Sequence, residues 1–302
     1  MHLRIHGLLA AVYTPLLPNG NVNLIVVERQ SQHVLRSGLA GVFVCGTTGE
    51  CHSLTVAERQ QLAARWVSLV GRQMAIVVHV GHNCLPNAQS LAAHAQQIGA
   101  TAIAAMAPSF FRPTNVDELI DYCAAVAGHA PRVPFYYYDI PSLTGVHLPA
   151  AELLERGLER IPTLAGVKYT NPDLPGLQAC LAARDGRFNV LYGFDEQLLP
   201  ALQLGAHGGV GGTYGLAPEL YKTIFTAHQA GDLETATTLQ QRCTRLVQQL
   251  APLGVVRAGK AAMKCLGIDC GSVRLPLRDL ADGELESLRQ ALTEAGLLAP
   301  SA

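Results

Sequence analysis

The amino-acid sequence predicts an α/β protein of the (β/α)8 TIM barrel class with a C-terminal helical extension. Eight short apolar runs rich in strand-forming residues alternate with longer amphipathic segments, a pattern typical of repeated βα units and a parallel sheet. The first run lacks the glycine fingerprint that usually follows the first strand of a doubly wound open sheet. Since eight parallel strands can close on themselves and leave no edge, we predict a closed barrel.

The predicted strands, in chain order, are residues 8–14, 41–47, 75–81, 102–108, 134–140, 164–170, 189–195 and 208–213. Between them, Thr55 and Glu58 have the spacing of a capping box, which predicts that a helix begins there. Four amphipathic segments are each followed by a glycine, which tolerates the positive φ at which many helices end. These glycines are Gly38, Gly71, Gly99 and Gly205.

The remainder of the chain shows helical periodicity without a further strand signal, over residues 233–250, 258–266 and 284–296. We therefore expect the barrel strands and the catalytic face within residues 1–215. The last barrel helix and the helical extension are expected in residues 216–302, and the two parts are expected to form a single structural unit.

Composition and charge limit the classes of function. With 49% hydrophobic and 15% charged residues and a mean hydropathy of +0.21, the chain can bury a large core and is far from the disordered class. The 22 basic and 23 acidic residues give a formal net charge of -1, which argues against binding to nucleic acid or to an anionic membrane. A small-molecule partner is expected instead.

The eight cysteines are scattered without a C-x-x-C pair, and most lie in apolar runs, so buried, reduced thiols are expected. The N-terminus has no charged region followed by a long apolar stretch. Every apolar run is shorter than the roughly twenty residues that a membrane span needs. A cytoplasmic protein without an export signal or a membrane span is expected.

Lys168 is the first candidate catalytic residue, because it lies in an apolar strand near the end where barrels carry their active sites. Strand alternation places it on the same face as Gly166 and Thr170. On an inward face, desolvation would lower its pKa and produce the neutral amine that attacks a ketone. Alternatively, the amine lies in water at the edge of the strand, and periodicity alone leaves both positions open.

Tyr138 closes the preceding strand, where a phenol could transfer protons to and from a substrate. It follows two further tyrosines, and alternation places Tyr136 on its face and Tyr137 on the opposite one. The segment 46–50 (GTTGE) follows the second strand and either directs amides and hydroxyls toward a carboxylate or forms a plain βα turn.

Two further sequence patterns do not indicate a functional site. The segment 208–212 (GGVGG) does not fit the dinucleotide fingerprint, because Tyr214 occupies the last glycine position, so we interpret it as relief of crowding inside the last strand. His79 and His82 have neither a helical HExxH context nor nearby carboxylates, so no metal site is expected.

Taken together, the segments 46–50 (GTTGE), 138–141 (YDIP) and 166–168 (GVK) resemble the dihydrodipicolinate synthase and N-acetylneuraminate lyase family of Schiff-base class I aldolases. The resemblance covers nearly the whole chain. It implies that Lys168 forms an imine with the 2-oxo carbon of the substrate and that Tyr138 relays protons. It also implies that Thr47 and Thr48 bind the substrate carboxylate, and that Thr47 hydrogen-bonds Tyr138.

Within that family the chain is more similar to the lyase branch. The synthase branch carries an arginine for a second carboxylate where this chain has Leu143, and an apolar side chain cannot hold an anion. The segments 136–146 and 193–199 resemble the lyases. In them the residues that match Gly193, Asp195 and Glu196 contact sugar hydroxyls, and Thr170 would contribute near the imine.

Two positions depart from the lyase pattern. Gly212 stands where the lyases usually place a serine that hydrogen-bonds the glycerol-like tail of the sugar. Phe110 and Phe111 follow the fourth strand, where many relatives present a tyrosine to the proton relay of the neighbouring subunit. A phenylalanine offers no hydroxyl for that contact.

The resemblance implies reversible cleavage of N-acetylneuraminate, or a related 2-oxo-3-deoxy sugar acid, to pyruvate and an aldehyde sugar such as N-acetylmannosamine. It implies a homotetramer and no cofactor beyond the covalent imine with Lys168. Because of Gly212, an aldolase or dehydratase for a shorter 2-oxo-3-deoxy aldonate is the alternative enzyme. A non-catalytic sugar-acid sensor is the alternative of another class, since a protein can keep its binding pocket after its catalytic activity has been lost.

Overall fold

The computed structural model describes residues 4–299 and places eight strands in one closed sheet. The strands are β1 (Gly7–Ala11), β2 (Gly41–Val44), β3 (Ala75–His79), β4 (Ala102–Met106), β5 (Phe135–Asp139), β6 (Leu164–Tyr169), β7 (Asn189–Tyr192) and β8 (Gly208–Gly211). Each strand pairs in parallel with the next, and β1 pairs with β8 to close the barrel. The predicted (β/α)8 barrel is confirmed.

Each predicted strand overlaps an observed one, but the predicted ends lie one to three residues too far along the chain. The reason is visible after β1, where Val12, Tyr13 and Thr14 are buried although the sheet ladder has already ended. The loops that follow the strands pack inside the rim of the barrel, so their apolar character continues the pattern of the strand.

Twelve α-helices are described between residues 4 and 299. They are α1 (Leu24–Ser37), α2 (Val56–Val70), α3 (Leu85–Gln97), α4 (Val116–Ala127), α5 (Pro141–Thr144), α6 (Ala150–Gly157), α7 (Leu174–Gly186), α8 (Leu198–Gln203), α9 (Pro218–Ala230), α10 (Leu233–Leu250), α11 (Val255–Cys265) and α12 (Asp282–Glu294). The backbone of α7 is non-helical at Ala183, Arg184 and Asp185. None of the helices in this part of the chain has the length and hydropathy needed to cross a membrane.

The local signals for helix ends are confirmed with one exception. Thr55 and Glu58 form the predicted capping box at the start of α2. Of the four glycines, three have positive φ, namely Gly38 (68°), Gly99 (82°) and Gly205 (103°). At Gly71 the predicted helix end is correct, since α2 ends at Val70, but the expectation of a positive φ was wrong, because its φ is -61°. Here glycine provides space instead, since a Cβ atom would lie 2.7 Å from the carbonyl oxygen of Val67.

The buried side chains form two layers separated by the sheet. The inner layer fills the barrel and includes Leu9, Phe43, Val77, Tyr136 and Tyr138. The outer layer packs between the strands and the surrounding helices. This arrangement closes the barrel axis with side chains and leaves the carboxyl ends of the strands as the place for a site.

After β8, the chain forms α9, which packs on β1 and α8, and then the helices α10, α11 and α12 that the sequence predicts. The helical extension is confirmed. The division of the chain at residues 215 and 216 into two parts of one structural unit stays a prediction.

Candidate functional site

The carboxyl ends of β2, β5, β6, β7 and β8 bring the predicted site residues to one rim of the barrel. Tyr138 and Lys168 are direct partners in the register between β5 and β6, and Lys168 faces Leu191 of β7 on its other side. Thr47 follows β2, and its hydroxyl reaches across the barrel to Tyr138. Residues that are 91 positions apart in the chain thus meet in one cluster.

The two possible positions of Lys168 are resolved by its burial. Its side chain points into the barrel, where the residue is 5% exposed. The amine nitrogen lies 4.1 Å from the centroid of the Phe43 ring and 4.0 Å from that of Tyr138. It forms no hydrogen bond or ion pair with any residue between 4 and 299. The amine therefore lies between two aromatic rings and is largely shielded from water.

Burial lowers the pKa of Lys168 from its ordinary 10.5 to about 7, and the nearby Asp195 and Cys51 offset this only in part. The two aromatic faces favour the charged form, by about 2 kcal/mol for a desolvated cation. A fall of this size in the pKa corresponds to roughly 5 kcal/mol, so the cost of burial outweighs the aromatic contacts. A large fraction of the amine is neutral, and nucleophilic, near neutral pH.

The tyrosines of β5 divide between the two faces of the sheet as alternation predicts. Tyr136 and Tyr138 lie inside the barrel, whereas Tyr137 belongs to the outer layer. The hydroxyl of Tyr138 lies 3.2 Å from Oγ1 of Thr47, which is the hydrogen bond that the resemblance implies. Burial raises the pKa of Tyr138, and its bond with Thr47 lowers it in part. The phenol is therefore neutral at physiological pH and can both donate and accept a proton.

The segment 46–50 forms a tight turn that presents two hydroxyls. The amide of Glu50 donates to the carbonyl of Thr47 at 2.9 Å, and the hydroxyl of Thr14 donates to the carbonyl of Gly49 at 2.7 Å. A Cβ atom at position 46 would lie 2.7 Å from the ring of Phe43, so glycine lets the turn close over that ring. This turn places the hydroxyl of Thr47 at that of Tyr138, whose ring contacts the lysine, and it places the hydroxyl of Thr48 beside Gly212.

Asp195 lies near the lysine, in the turn after β7. One of its oxygens accepts hydrogen bonds from the amide and the hydroxyl of Thr213, at 2.7 Å and 2.5 Å. Burial raises the pKa of Asp195 to about 6, and the bonds from Thr213 lower it in part. Oδ1 makes no hydrogen bond within the described chain. It lies where a Cβ atom at Gly211 would collide with it, at 2.3 Å.

Gly193 and Thr170 meet directly beside this turn. A Cβ atom at position 193 would lie 1.9 Å from Oγ1 of Thr170, so only glycine fits. That oxygen is buried and has no hydrogen-bond partner within residues 4–299. A buried hydroxyl without a partner is costly, and a substrate atom could satisfy it. The carboxylate of Glu196 is likewise unpaired in this part of the chain, and the residue is half-buried.

The helical extension holds the turn that carries Asp195 and Glu196. Gln240 of α10 donates to the carbonyl of Asp195 at 3.2 Å and accepts the amide of Leu199 at 2.8 Å. Thr244, one turn further along α10, donates to the carbonyl of Glu196 at 3.0 Å. The extension therefore supports the site from outside the barrel.

Gly212 lies between the two ends of the site. Its carbonyl accepts a hydrogen bond from the hydroxyl of Tyr13 at 3.0 Å. A Cβ atom at this position would lie 3.3 Å from Oγ1 of Thr48 and 3.9 Å from Val255. The backbone of Gly212 is not in the left-handed region. A small side chain could therefore be accommodated with shifts of a few tenths of an ångström.

Two of the positions singled out in the sequence, Leu143 and the Phe110–Phe111 pair, are exposed. Leu143 belongs to α5, directly after β5, and is 59% exposed. Phe110 and Phe111 are 77% and 86% exposed, with ring centroids 5.0 Å apart in an edge-to-face contact. Two neighbouring exposed aromatic rings are unusual on the surface of an isolated chain.

Sequence reasoning missed several residues of the site. Phe43 lies under Lys168, and alternation along β2 could have placed it inside the barrel. Thr213 is the partner of Asp195, but no sequence signal joins residues that far apart. His79 is fully buried 5.8 Å from the Tyr138 ring, where its Nδ1 donates a hydrogen bond to the carbonyl of Cys45 and lies near Arg59. Burial and then Arg59 lower its pKa, so it is neutral.

Among residues 4–299, no group of three or more His, Cys, Asp or Glu side chains is arranged to hold a metal ion. The eight cysteines all lie within the described range and are unpaired; Cys84 is exposed, Cys265 is half-buried and the others are buried.

Comparison with known proteins places these features in a family. The model of the dihydrodipicolinate synthetase family matches residues 4–295. The chain is 42% identical over 279 residues to the N-acetylneuraminate lyase of Gallus gallus, covering 91% of each chain. It is 39% identical over 297 residues to the N-acetylneuraminate lyase of Homo sapiens, covering 94% of this chain and 93% of the relative.

Solved structures agree with this result. The fold matches that of the N-acetylneuraminate lyase of Proteus mirabilis with a TM-score of 0.94 and 33% identity, covering 98% of this chain and 100% of the other. The sialic acid aldolase of Aliivibrio salmonicida matches with a TM-score of 0.94 and 36% identity, covering 98% of both chains.

Proposed function

This chain belongs to the dihydrodipicolinate synthetase family, and on that premise we propose that it is a Schiff-base aldolase. Its proposed reaction is the reversible cleavage of N-acetylneuraminate to pyruvate and N-acetylmannosamine. The observation that carries the proposal is the buried Lys168 amine, whose pKa of about 7 makes it a nucleophile at neutral pH. Relatives at about 40% identity over nearly the whole chain are N-acetylneuraminate lyases, which supports this substrate.

In the first step, the neutral amine of Lys168 adds to the 2-oxo carbon of the open-chain sugar acid, the resulting hydroxyl takes up a proton from solvent, and water leaves. The product is a protonated imine, which withdraws electrons from the neighbouring carbon. Thr47 and Thr48 hold the carboxylate next to that carbon through hydroxyls and amides of the 46–50 turn. The imine serves as the electron sink, so the proposed reaction uses no separate cofactor.

In the second step, the bond between C3 and C4 breaks. Its electron pair moves toward the imine nitrogen and forms an enamine. At the same time Tyr138 takes the proton of the C4 hydroxyl, while its own phenol proton passes through Thr47 to solvent. The aldehyde sugar leaves. C3 of the enamine then takes a proton from the relay, and water hydrolyses the pyruvate imine, which restores Lys168. A neutral phenol that both accepts and donates suits a relay used in both directions.

The remaining part of the sugar acid is proposed to lie over the β7 and β8 ends. The free Oδ1 of Asp195 and the carboxylate of Glu196 are acceptors for sugar hydroxyls. The hydroxyl of Thr170 is proposed to bond the substrate near the imine, which is supported by its lack of a partner, and Gly193 leaves room for that hydroxyl. Leu143 offers no charge for a second carboxylate, which agrees with a polyol in this half of the site.

Imine formation with pyruvate is expected to follow the titration of Lys168. Below pH 7 the neutral fraction of the amine, and with it the observed rate, should rise about tenfold per pH unit and level off above pH 7. Single-turnover trapping of the imine across pH 5 to 10 measures this profile. A rate that still rises tenfold per unit at pH 9 would mean that the amine has the pKa of a free lysine.

The choice of substrate is tested by comparing cleavage rates. Purified protein is supplied with N-acetylneuraminate and with a six-carbon 2-oxo-3-deoxy aldonate, and pyruvate release is measured. Higher kcat/KM for N-acetylneuraminate supports the proposal, whereas higher kcat/KM for the six-carbon acid, or loss of water from it without pyruvate release, would support the shorter-chain alternative. No conversion of any 2-oxo-3-deoxy acid would favour a sensor.

The Gly212→Ser variant is expected to lower the KM for N-acetylneuraminate roughly two- to tenfold, because one added hydrogen bond to the sugar tail contributes about 0.5–1.5 kcal/mol. The structure leaves room for a small side chain at this position. Gly212→Ala is the matched control, since it adds the same Cβ atom without a hydroxyl. An equal change in both variants would rule out the hydrogen bond as the cause.

A homotetramer and a cytoplasmic location complete the proposal. The exposed Phe110 and Phe111 support subunit contact, because two adjacent aromatic side chains gain by burial against another chain. The unpaired thiols of the eight cysteines suit a reducing compartment.

A further inference from the structure

A buried ion pair joins the 46–50 turn to the helical extension. Nζ of Lys260, on α11, lies 2.6 Å from Oε1 of Glu50, and each side chain is 2% exposed. The same amine donates a hydrogen bond to the carbonyl of Ser272 at 2.8 Å. The pair thus connects a loop at the mouth of the barrel to a helix 210 residues later in the chain.

The other carboxylate oxygen of Glu50 is also engaged. It accepts the backbone amide of Arg274 at 2.9 Å. The guanidinium of Arg274 donates to both oxygens of Glu58, at 2.8 Å and 2.9 Å, and to the carbonyl of Ser53 at 2.7 Å. The segment around Arg274 is therefore fixed on both sides of the turn, and it provides a rigid partner for Glu50.

The backbone of Glu50 is held in an unfavourable conformation. Its φ is 57°, in the left-handed region that residues other than glycine rarely adopt. Such strain persists only where surrounding contacts determine the conformation. Glu50 is also the residue whose amide closes the turn on the carbonyl of Thr47. The contacts of the Glu50 carboxylate therefore hold the residue that closes the turn.

The same helix also contacts a residue that bonds the loop after β8. Gly259 is the neighbour of Lys260 on α11, and a Cβ atom there would lie 2.0 Å from the hydroxyl of Tyr13. That hydroxyl donates to the carbonyl of Gly212. One helix of the extension thus packs against both the turn for the carboxylate and the loop after β8.

We propose that Glu50 and Lys260 are positioning residues, which hold Thr47 and Thr48 in the geometry that binds the carboxylate of a 2-oxo acid. This inference rests on the proposed function, since it assigns that carboxylate to the turn. Neither residue touches the reacting atoms. Replacing a buried ion pair by uncharged residues can leave stability almost unchanged, so a cost in stability alone does not account for the pair. The proposed role of the ion pair is to fix the position of the 46–50 turn.

The test compares the double variant Glu50→Gln/Lys260→Met with the wild-type protein. Removing both charges leaves no unpaired buried ion, so the double variant is expected to fold. The pyruvate concentration that gives half-maximal borohydride trapping on Lys168 is expected to rise between about ten- and a hundredfold, the effect of a small misplacement in a binding site. The maximal trapped fraction is expected to stay at the wild-type level, because Lys168 is not moved. The same two quantities, the half-saturating pyruvate concentration and the maximal trapped fraction, are measured for the single variant Glu50→Gln, which retains the amine of Lys260.

Lys264→Met is the matched control, because Lys264 lies on the same helix in an exposed pair with Asp269 at 3.0 Å. Its half-saturating pyruvate concentration should stay within about twofold of the wild type. A folded double variant with unchanged half-saturation would overturn the inference, and so would loss of the maximal fraction at unchanged half-saturation. If the wild-type protein itself formed no adduct, the proposed function would fail; an adduct in the wild type with no change in the variant would overturn the positioning role alone.

Discussion

The Lys168→Met variant is expected to lose cleavage activity by on the order of 10⁶-fold, the loss seen when a catalytic nucleophile is removed. Without the amine no imine forms, and the C3–C4 bond has no electron sink. Methionine has a similar length and suits the apolar surroundings of Phe43 and Tyr138. The measurement is kcat/KM for pyruvate release, with unfolding followed in parallel. Residual activity within a hundredfold of the wild type would contradict an imine on Lys168.

The same variant is expected to be more stable than the wild type at pH 7, by roughly 4 kcal/mol. Lys168 is charged in the unfolded chain up to pH 10.5, whereas in the folded protein its pKa is about 7. The loss of folding stability caused by burying this amine is therefore fully present below pH 7. It disappears as the pH rises from 7 to 10.5, because the amine then becomes neutral in the unfolded chain as well. Denaturant unfolding at pH 7 and pH 10 should show the advantage of the variant shrinking. Lys264→Met, at an exposed position, should show no such change.

The Tyr138→Phe variant is expected to lower kcat by roughly 10²- to 10⁴-fold, the usual contribution of a positioned proton donor and acceptor. The phenylalanine ring keeps the contact with Lys168 and Phe43 but has no hydroxyl to bond Thr47. Half-saturation of the pyruvate adduct should change by no more than a few fold, because carboxylate binding is left to the 46–50 turn. The measurements are kcat for cleavage and the pyruvate dependence of trapping.

Tyr137→Phe is the matched control for this prediction. It removes a hydroxyl from the adjacent residue of the same strand, but that residue lies in the outer layer between the sheet and the helices. Its kcat should stay within about fivefold of the wild type, as for a residue with no role in proton transfer. Equal losses in both variants would show that the effect arises from disturbance of β5 and not from the relay.

The fold could be predicted from the sequence because each of its signals is local. Apolar runs at 41–47 and 164–170 mark strands through composition, and Thr55 with Glu58 marks a helix start through spacing. The predicted positions of the strand ends were less accurate, because buried loop residues such as Tyr13 have the same apolar character as strand residues. Gly71 was misinterpreted because the sequence does not distinguish a glycine needed for space from a glycine needed for positive φ.

The site was predictable only in part. Lys168 and Tyr138 were identified from strand position and resemblance, but periodicity could not decide between the inside of the barrel and its edge. The burial of the amine between Phe43 and Tyr138 depends on closure of the sheet, and this closure cannot be predicted from the sequence of one strand. The pairing of Glu50 with Lys260 likewise depends on where the extension packs, and neither residue has a local signal for it.

The most direct test of the central claim is to incubate the protein with pyruvate, reduce it with borohydride and map the modified peptide by mass spectrometry. The structure predicts one adduct per chain, on Lys168, in amounts that increase from pH 6 to pH 8 as the amine loses its proton. Absence of an adduct, or an adduct on a different lysine such as Lys260, would contradict the Schiff-base mechanism proposed for this chain.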